Sequence, residues 1–141
     1  MNTTGIAVIV YILWMVALLT VFLFVRVSAL VKREVRTNNF RADGSDVSKF
    51  AERLARTHAN CYESAPMVLG ILLLALATDQ IHVTNGLALY VVAARILQGL
   101  VHMLSTNAHM VRLRFVLFIA QIVIITLWSI QFLKIFMSNT F

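Results

Sequence analysis

Residues 53–66 read Arg53-Leu-Ala-Arg56-Thr-His58-Ala-Asn60-Cys61-Tyr-Glu63-Ser-Ala-Pro66, a stretch that carries charge out of a polar loop and into an apolar helix. At 3.6 residues per turn, spacings of three, four and three put Arg53, Arg56, Asn60 and Glu63 on one stripe, with Leu54, Cys61 and Ala65 off it. A carboxylate at that depth needs a cation, a proton or water, because an isolated one in hydrocarbon costs several kcal/mol. Arg56 lies two turns back from Glu63, so Asn60 or an arginine of another helix is the expected contact. Pro66 removes one helix hydrogen bond and leaves the Tyr62 carbonyl to be covered by a neighbouring helix or water. The stripe is therefore expected to face protein.

The remaining sequence supplies the hydrocarbon setting. The chain has 141 residues, 60% of them hydrophobic and 13% charged, with a mean hydropathy of +0.86. A soluble domain is about 45–50% apolar and 25% charged, so an integral membrane protein is expected, with 1–141 as a single domain. Residues 5–25 carry no charge and are long enough to cross a bilayer; the helix is expected to continue through good helix formers, giving a first span over about 5–31. No basic segment precedes it and no small-residue cleavage site follows, which argues against a cleaved signal. A loop rich in Asn, Asp, Ser and Gly covers about 37–47, with Asp46 or Ser48 as candidate cap of a helix starting near Val47. Further spans are expected over about 58–77, 86–104 and 113–136, separated by the turns ATDQIHVTNG and STNAHM. The fold class predicted is all-α: a four-transmembrane-helix bundle with antiparallel neighbours.

Most lysines and arginines fall between Arg26 and Arg56, with Arg112 and Arg114 beside the third loop. The positive-inside rule then puts the first and third loops in the cytoplasm and both termini on the periplasmic or lumenal side. The net charge of +6 reports orientation in the bilayer, and no nucleic-acid partner is expected. The single cysteine, Cys61, excludes an internal disulfide and reads as a small buried filler. His58, His82, His102 and His109 sit on different elements without metal-ligand spacing, so no metal is expected.

The third span holds Arg95, with Gln98 and His102 three and seven residues beyond it on the same face. Arg95 is about ten residues from either end of its apolar run, too deep to snorkel easily, so an internal anion is its expected partner. Glu63, the only carboxylate inside an apolar span, could serve in a structural ion pair. It cannot satisfy Arg33, Arg53, Arg56, Arg95, Arg112 and Arg114 together. The excess points to an anionic ligand, since the arginine fork binds carboxylates bidentately and a positive site favours a thiolate over a thiol. Anchoring to lipid phosphate is the alternative for Arg112 and Arg114.

The stretch from Arg53 to Pro66 resembles the R-x-x-R-x-x-x-N-x-x-E-x-x-P signature of the MAPEG family, membrane-associated proteins in eicosanoid and glutathione metabolism. Ala94-Arg95, an arginine followed by aromatics at the start of the fourth span, the length and the four-span layout extend the resemblance over essentially the whole chain. It implies a homotrimer binding glutathione as cosubstrate between neighbouring subunits, with a lipophilic small molecule entering from membrane lipid. It maps glutathione binding onto Arg33 (Arg36 alternatively), Arg53, Arg56, His58, Asn60, Glu63, Arg95 and His102. The thiolate-stabilising arginine falls on Arg114, with Arg112 as alternative. At His102 better-known members carry tyrosine. The implied activity is conjugation of glutathione to lipophilic electrophiles or reduction of lipid hydroperoxides. A catalytically inactive binding or scaffold protein is the first rival, and a small multidrug-exporter-like transporter the second. The second would call for a carboxylate in the first span, where there is none.

Overall fold

The computed structural model describes residues 1–32, 41–104 and 107–138. They form four helices: α1 (Thr3–Val31), α2 (Lys49–Ala77), α3 (Ala88–Leu104) and α4 (Ala108–Ser138), with a short 3₁₀ turn at Ile81–Val83 between α2 and α3. α1, α2 and α4 are long and apolar enough to cross a membrane, and α3 is a shorter apolar helix of 17 residues. The chain is an all-helical integral membrane protein. α2 and α3 pack on each other in the middle; α1 packs on both from one side and α4 on both from the other.

Each outer helix buries a single stripe. In α1 this is Thr4, Ala7, Val8, Tyr11 and Leu18; in α4 it is Gln121, Ile125, Trp128 and Phe132. Leu13, Leu23 and Phe24 of α1 and Phe115, Val123 and Leu133 of α4 are exposed. A helix apolar all round needs hydrocarbon on its free faces. Between helices in lipid the gain comes from close contact and hydrogen bonds, and small residues allow both. Ala7, Ala65 and Ala88 lie in a tight cluster with Tyr11, Val68, Leu72, Val91, Val92 and Trp128. Gly99 is required where α3 meets α1: a Cβ there would stand 2.8 Å from the Trp14 ring.

Polar side chains close the bundle at the end holding the N-terminus and second loop. Asn85 Oδ1 accepts from the Thr3 hydroxyl (2.9 Å) and from the amide (3.0 Å) and hydroxyl (3.0 Å) of Thr4, while Thr4 and Thr84 share a 2.7 Å hydrogen bond. α2 ends in a Schellman turn: Gln80 N–H donates to Ala75 O (2.9 Å) and Asp79 N–H to Leu76 O (3.4 Å), with Asp79 at φ 57°. Mid-bundle, α2 runs unbroken through Pro66. The Tyr11 hydroxyl donates to Cys61 O (2.9 Å) and lies 3.1 Å from Ser64 Oγ, so α1 covers the α2 backbone beside the proline.

At the opposite end, Ser48, one of the two candidate caps, caps α2 by accepting from Ala51 N–H (3.0 Å), and the helix starts at Lys49, two residues after Val47. Gly44, at φ 70°, lies against the Ala51 backbone, where a Cβ would come to 3.0 Å. Asp43 accepts from the hydroxyl (2.8 Å) and amide (3.1 Å) of Ser45, and these bonds hold its carboxyl below the usual aspartate range. α4 begins at Ala108, so Ala108, His109 and Met110 are helical where a connection was expected. They lack helix-breaking residues, and hydropathy locates the lipid boundary, not the first helical turn.

Candidate functional site

The stripe on α2 forms as its spacing dictates. Arg56, Asn60 and Glu63 are exposed and Arg53 half-buried, while Leu54, Thr57, Cys61 and Ser64 turn inward. Its first two turns meet the ends of α3 and α4. Arg53 Nε donates to Met103 O (2.9 Å), supplying a cationic donor to a carbonyl in the last turn of α3. Arg56 pairs with Glu52 at 2.6 Å, one turn earlier on α2. That exposed pair adds little stability, but it fixes the guanidinium beside a cleft of about 280 Å³ lined by Lys49, Glu52, Arg53, Arg56, His102 and Arg114, with Val111.

Arg114 links this cleft to a second of about 260 Å³, lined also by Asn60, Gln98, Val111, Phe115 and Phe118. The Arg114 backbone carbonyl accepts from Gln98 Nε2 (3.3 Å); Gln98 Oε1 in turn accepts from Gln121 Nε2 (3.2 Å), which also reaches Leu117 O (2.8 Å). Two glutamines thus tie α3 to α4 at the level of Arg114. The Arg114 guanidinium contacts His102 Nδ1. Arginine only donates, so Nδ1 accepts and His102 carries its proton on Nε2.

Arg95 stands behind these clefts, 1% exposed. Its Nη1 donates to Asn60 Oδ1 (2.8 Å), and its guanidinium carbon lies 5.9 Å from the centre of the Phe118 ring. The anion expected as its partner is replaced, within the chain, by a neutral amide, and Glu63, one turn beyond Asn60 on α2, is exposed. The two described ion pairs are Arg41–Asp43 and Arg56–Glu52, so the Arg–Glu63 pair does not form among the described residues.

The structure therefore brings Arg53, Arg56, His102 and Arg114 to one cleft, with Asn60 and Arg95 adjoining. His58 is half-buried and Glu63 exposed, and neither lines the two clefts. Arg112, 200° around the helix from Arg114, is exposed and lines neither. Arg33 and Arg36 lie outside the described residues. Lys49 and Gln121 are additions. Gln121 sits seven residues after Arg114, on the same face of α4, and a polar side chain in an apolar run was the available signal.

Among the described residues the cleft is lined by four cations and one carboxylate that is already paired, an arrangement that suits an anion, and guanidinium forks favour carboxylates. Phe115 and Phe118 place an apolar wall next to it. Cys61 is buried and free. The MAPEG family model matches residues 4–134 of the chain. No curated protein and no solved structure matches it.

Proposed function

The chain belongs to the MAPEG family of membrane proteins in eicosanoid and glutathione metabolism, and from that premise we propose that it is a glutathione-dependent membrane enzyme. It would conjugate glutathione to lipophilic electrophiles or reduce lipid hydroperoxides with it. The observation that carries this reading is the cationic cleft of Lys49, Arg53, Arg56 and Arg114, where Glu52 is the only carboxylate among the described residues. Glutathione brings two carboxylates and supplies the thiol. Its carboxylates suit Arg53 and Arg56; Asn60, at the rim of the adjoining cleft, offers its amide.

Arg114 is the residue best placed to hold negative charge on sulfur. It is shared by the polar cleft and the one walled by Phe115 and Phe118, where an apolar acceptor from lipid would sit. Gln98 fixes its backbone and His102 its guanidinium, so the charge is oriented before ligand arrives, which is how preorganised electrostatics lower a barrier. Holding both reactants at Arg114 replaces a bimolecular encounter. Glu63, His58 and Arg33 enter the proposal through a neighbour: the exposed polar face of α2 around Glu63 suits a protein contact, as a homotrimer would supply, better than lipid. The first and third loops, and with them the cleft, would face the cytoplasm.

A thermal-shift titration of the detergent-purified protein with glutathione tests the reading, since a ligand of the folded state raises apparent stability. The expected result is a saturable rise, diminished in Arg53→Ala and Arg56→Ala, together with turnover of a model electrophile. Absence of any rise removes glutathione from the reading. A rise without turnover of electrophiles or hydroperoxides makes the chain a binding protein.

A further inference from the structure

Among the described residues, Arg95 is a cation without an anion. Its one hydrogen-bond acceptor is the neutral Asn60 amide, its Nε–H is buried with no partner, and Phe118 supplies only a ring face. Of the carboxylates on α2, Glu52 is bound to Arg56 and Glu63 is exposed; α3 has none. Beside Arg95 lies a small cavity between α2 and α3, with Asn60, Cys61 and His102 in its wall. The space open to the centre of a water-sized sphere is about 20 Å³, above the ~10–15 Å³ that one water needs and too small for a carboxylate with its chain.

We propose that this cavity binds one monatomic anion, a halide such as chloride, as the counter-ion of Arg95. The wall is biased towards donors. Asn60 gives its oxygen to Arg95 and retains its NH₂. His102 is in the wall and, accepting at Nδ1, keeps its proton on Nε2 as a further N–H donor. The Cys61 thiol is a further weak donor. Gln98 is engaged at both ends, and Thr57 gives its proton to Arg53 O (2.9 Å), so its oxygen faces the cavity wall only as an acceptor. A water in the cavity would satisfy hydrogen bonds but leave the charge; a halide satisfies both, and in a low-dielectric interior the charge is the larger demand. The site needs no glutathione to be bound, although Asn60 and His102 also border the clefts proposed for that ligand.

The test uses the full chain purified in detergent without glutathione, with chloride exchanged for gluconate at constant ionic strength. Thermal unfolding should rise by roughly 2–4 °C in ~0.15 M chloride or bromide, and stay level in gluconate or sulfate. Arg95→Gln should show no halide dependence. Equal melting in all four salts, or an undiminished halide shift in Arg95→Gln, overturns the proposal. So does loss of the shift on adding glutathione, which would make the cavity part of that ligand's site. Should Arg95→Gln fail to fold, crystals of the wild-type protein grown in bromide decide: an anomalous peak between Arg95 and Asn60 supports the site, and its absence with water density there overturns it.

Discussion

The two halves of the bundle are built on opposite terms. In the half nearest the N-terminus, alanines bring α1, α2 and α3 into contact, and the polar groups are matched: Asn85 with Thr3 and Thr4, Thr4 with Thr84, Tyr11 with Cys61 and Ser64. In the other half Arg53, Arg56, Arg95 and Arg114 converge, clefts of about 280 and 260 Å³ open between α2, α3 and α4, and a buried guanidinium nitrogen has no partner. An arginine at the middle of a membrane helix costs about 2.5–3.5 kcal/mol. The function proposed above uses the half that is left unsatisfied, and the matched half is the one built for stability.

The largest expected effect follows from breaking the matched half. Leu72 is fully buried among Tyr11's neighbours in the main cluster, and Leu72→Ala should cost ~2–4 kcal/mol of stability, through lost contacts and a cavity. Glutathione affinity, extrapolated to conditions where the variant is folded, should change less than twofold. Denaturation in detergent read beside a binding isotherm checks this, and a large affinity loss in folded protein would erase the division between halves.

A next, smaller effect belongs to the cleft. A free thiol of pKa ~8.5 is mostly protonated at neutral pH, and an arginine at contact can depress it by one or two units, each ~1.4 kcal/mol. Arg114→Ala should therefore lower turnover roughly eight- to twenty-five-fold at pH 7, the ratio of thiolate fractions, and move the rate profile towards alkaline pH, with stability little changed. Lysine should rescue only in part, because it keeps the charge and loses the fork. Arg112→Ala, altering an exposed residue outside both clefts, should leave rate and profile as they are. The reverse pattern, read by rate and thiolate absorbance, would shift the site by two residues.

Sequence and structure agree unequally across these halves, and for a physical reason. Long apolar runs separated by turn signals have few alternatives in a bilayer, so the four-helix membrane bundle was legible from composition and spacing. Within one helix, spacing also placed Arg53, Arg56 and Asn60 on one face. It could not say how far along that face the cleft extends. Glu63 is seven residues beyond Arg56, about 10 Å further along the axis, and lies past the point where α3 and α4 close on α2. The Gln98–Gln121 tie was hidden because it joins lone polar residues of two helices, and the partner of Arg95 because a neutral amide gives no charge signal.

The smallest effect lies in the first loop, outside both halves, and it bounds how far the comparison reaches. Asp43 is exposed, and Ser45 holds its carboxylate by hydroxyl and amide, so its pKa is lowered from 3.8 in the folded chain. A depressed carboxyl pKa contributes stability that is present above the unfolded-state pKa and is lost as pH falls through the folded-state value. Ser45→Ala removes the hydroxyl, the largest cause of the shift, and should raise the Asp43 pKa towards 3.8. Melting curves of the two proteins should then coincide at the most acidic pH, where both carboxyls are protonated, and separate slightly above pH ~4, the variant lower. Because Asp43 faces water, the gap should shrink in high salt. Glutathione binding should not respond, since neither residue lines the clefts; a binding loss in Ser45→Ala would extend the working half of the molecule into this loop.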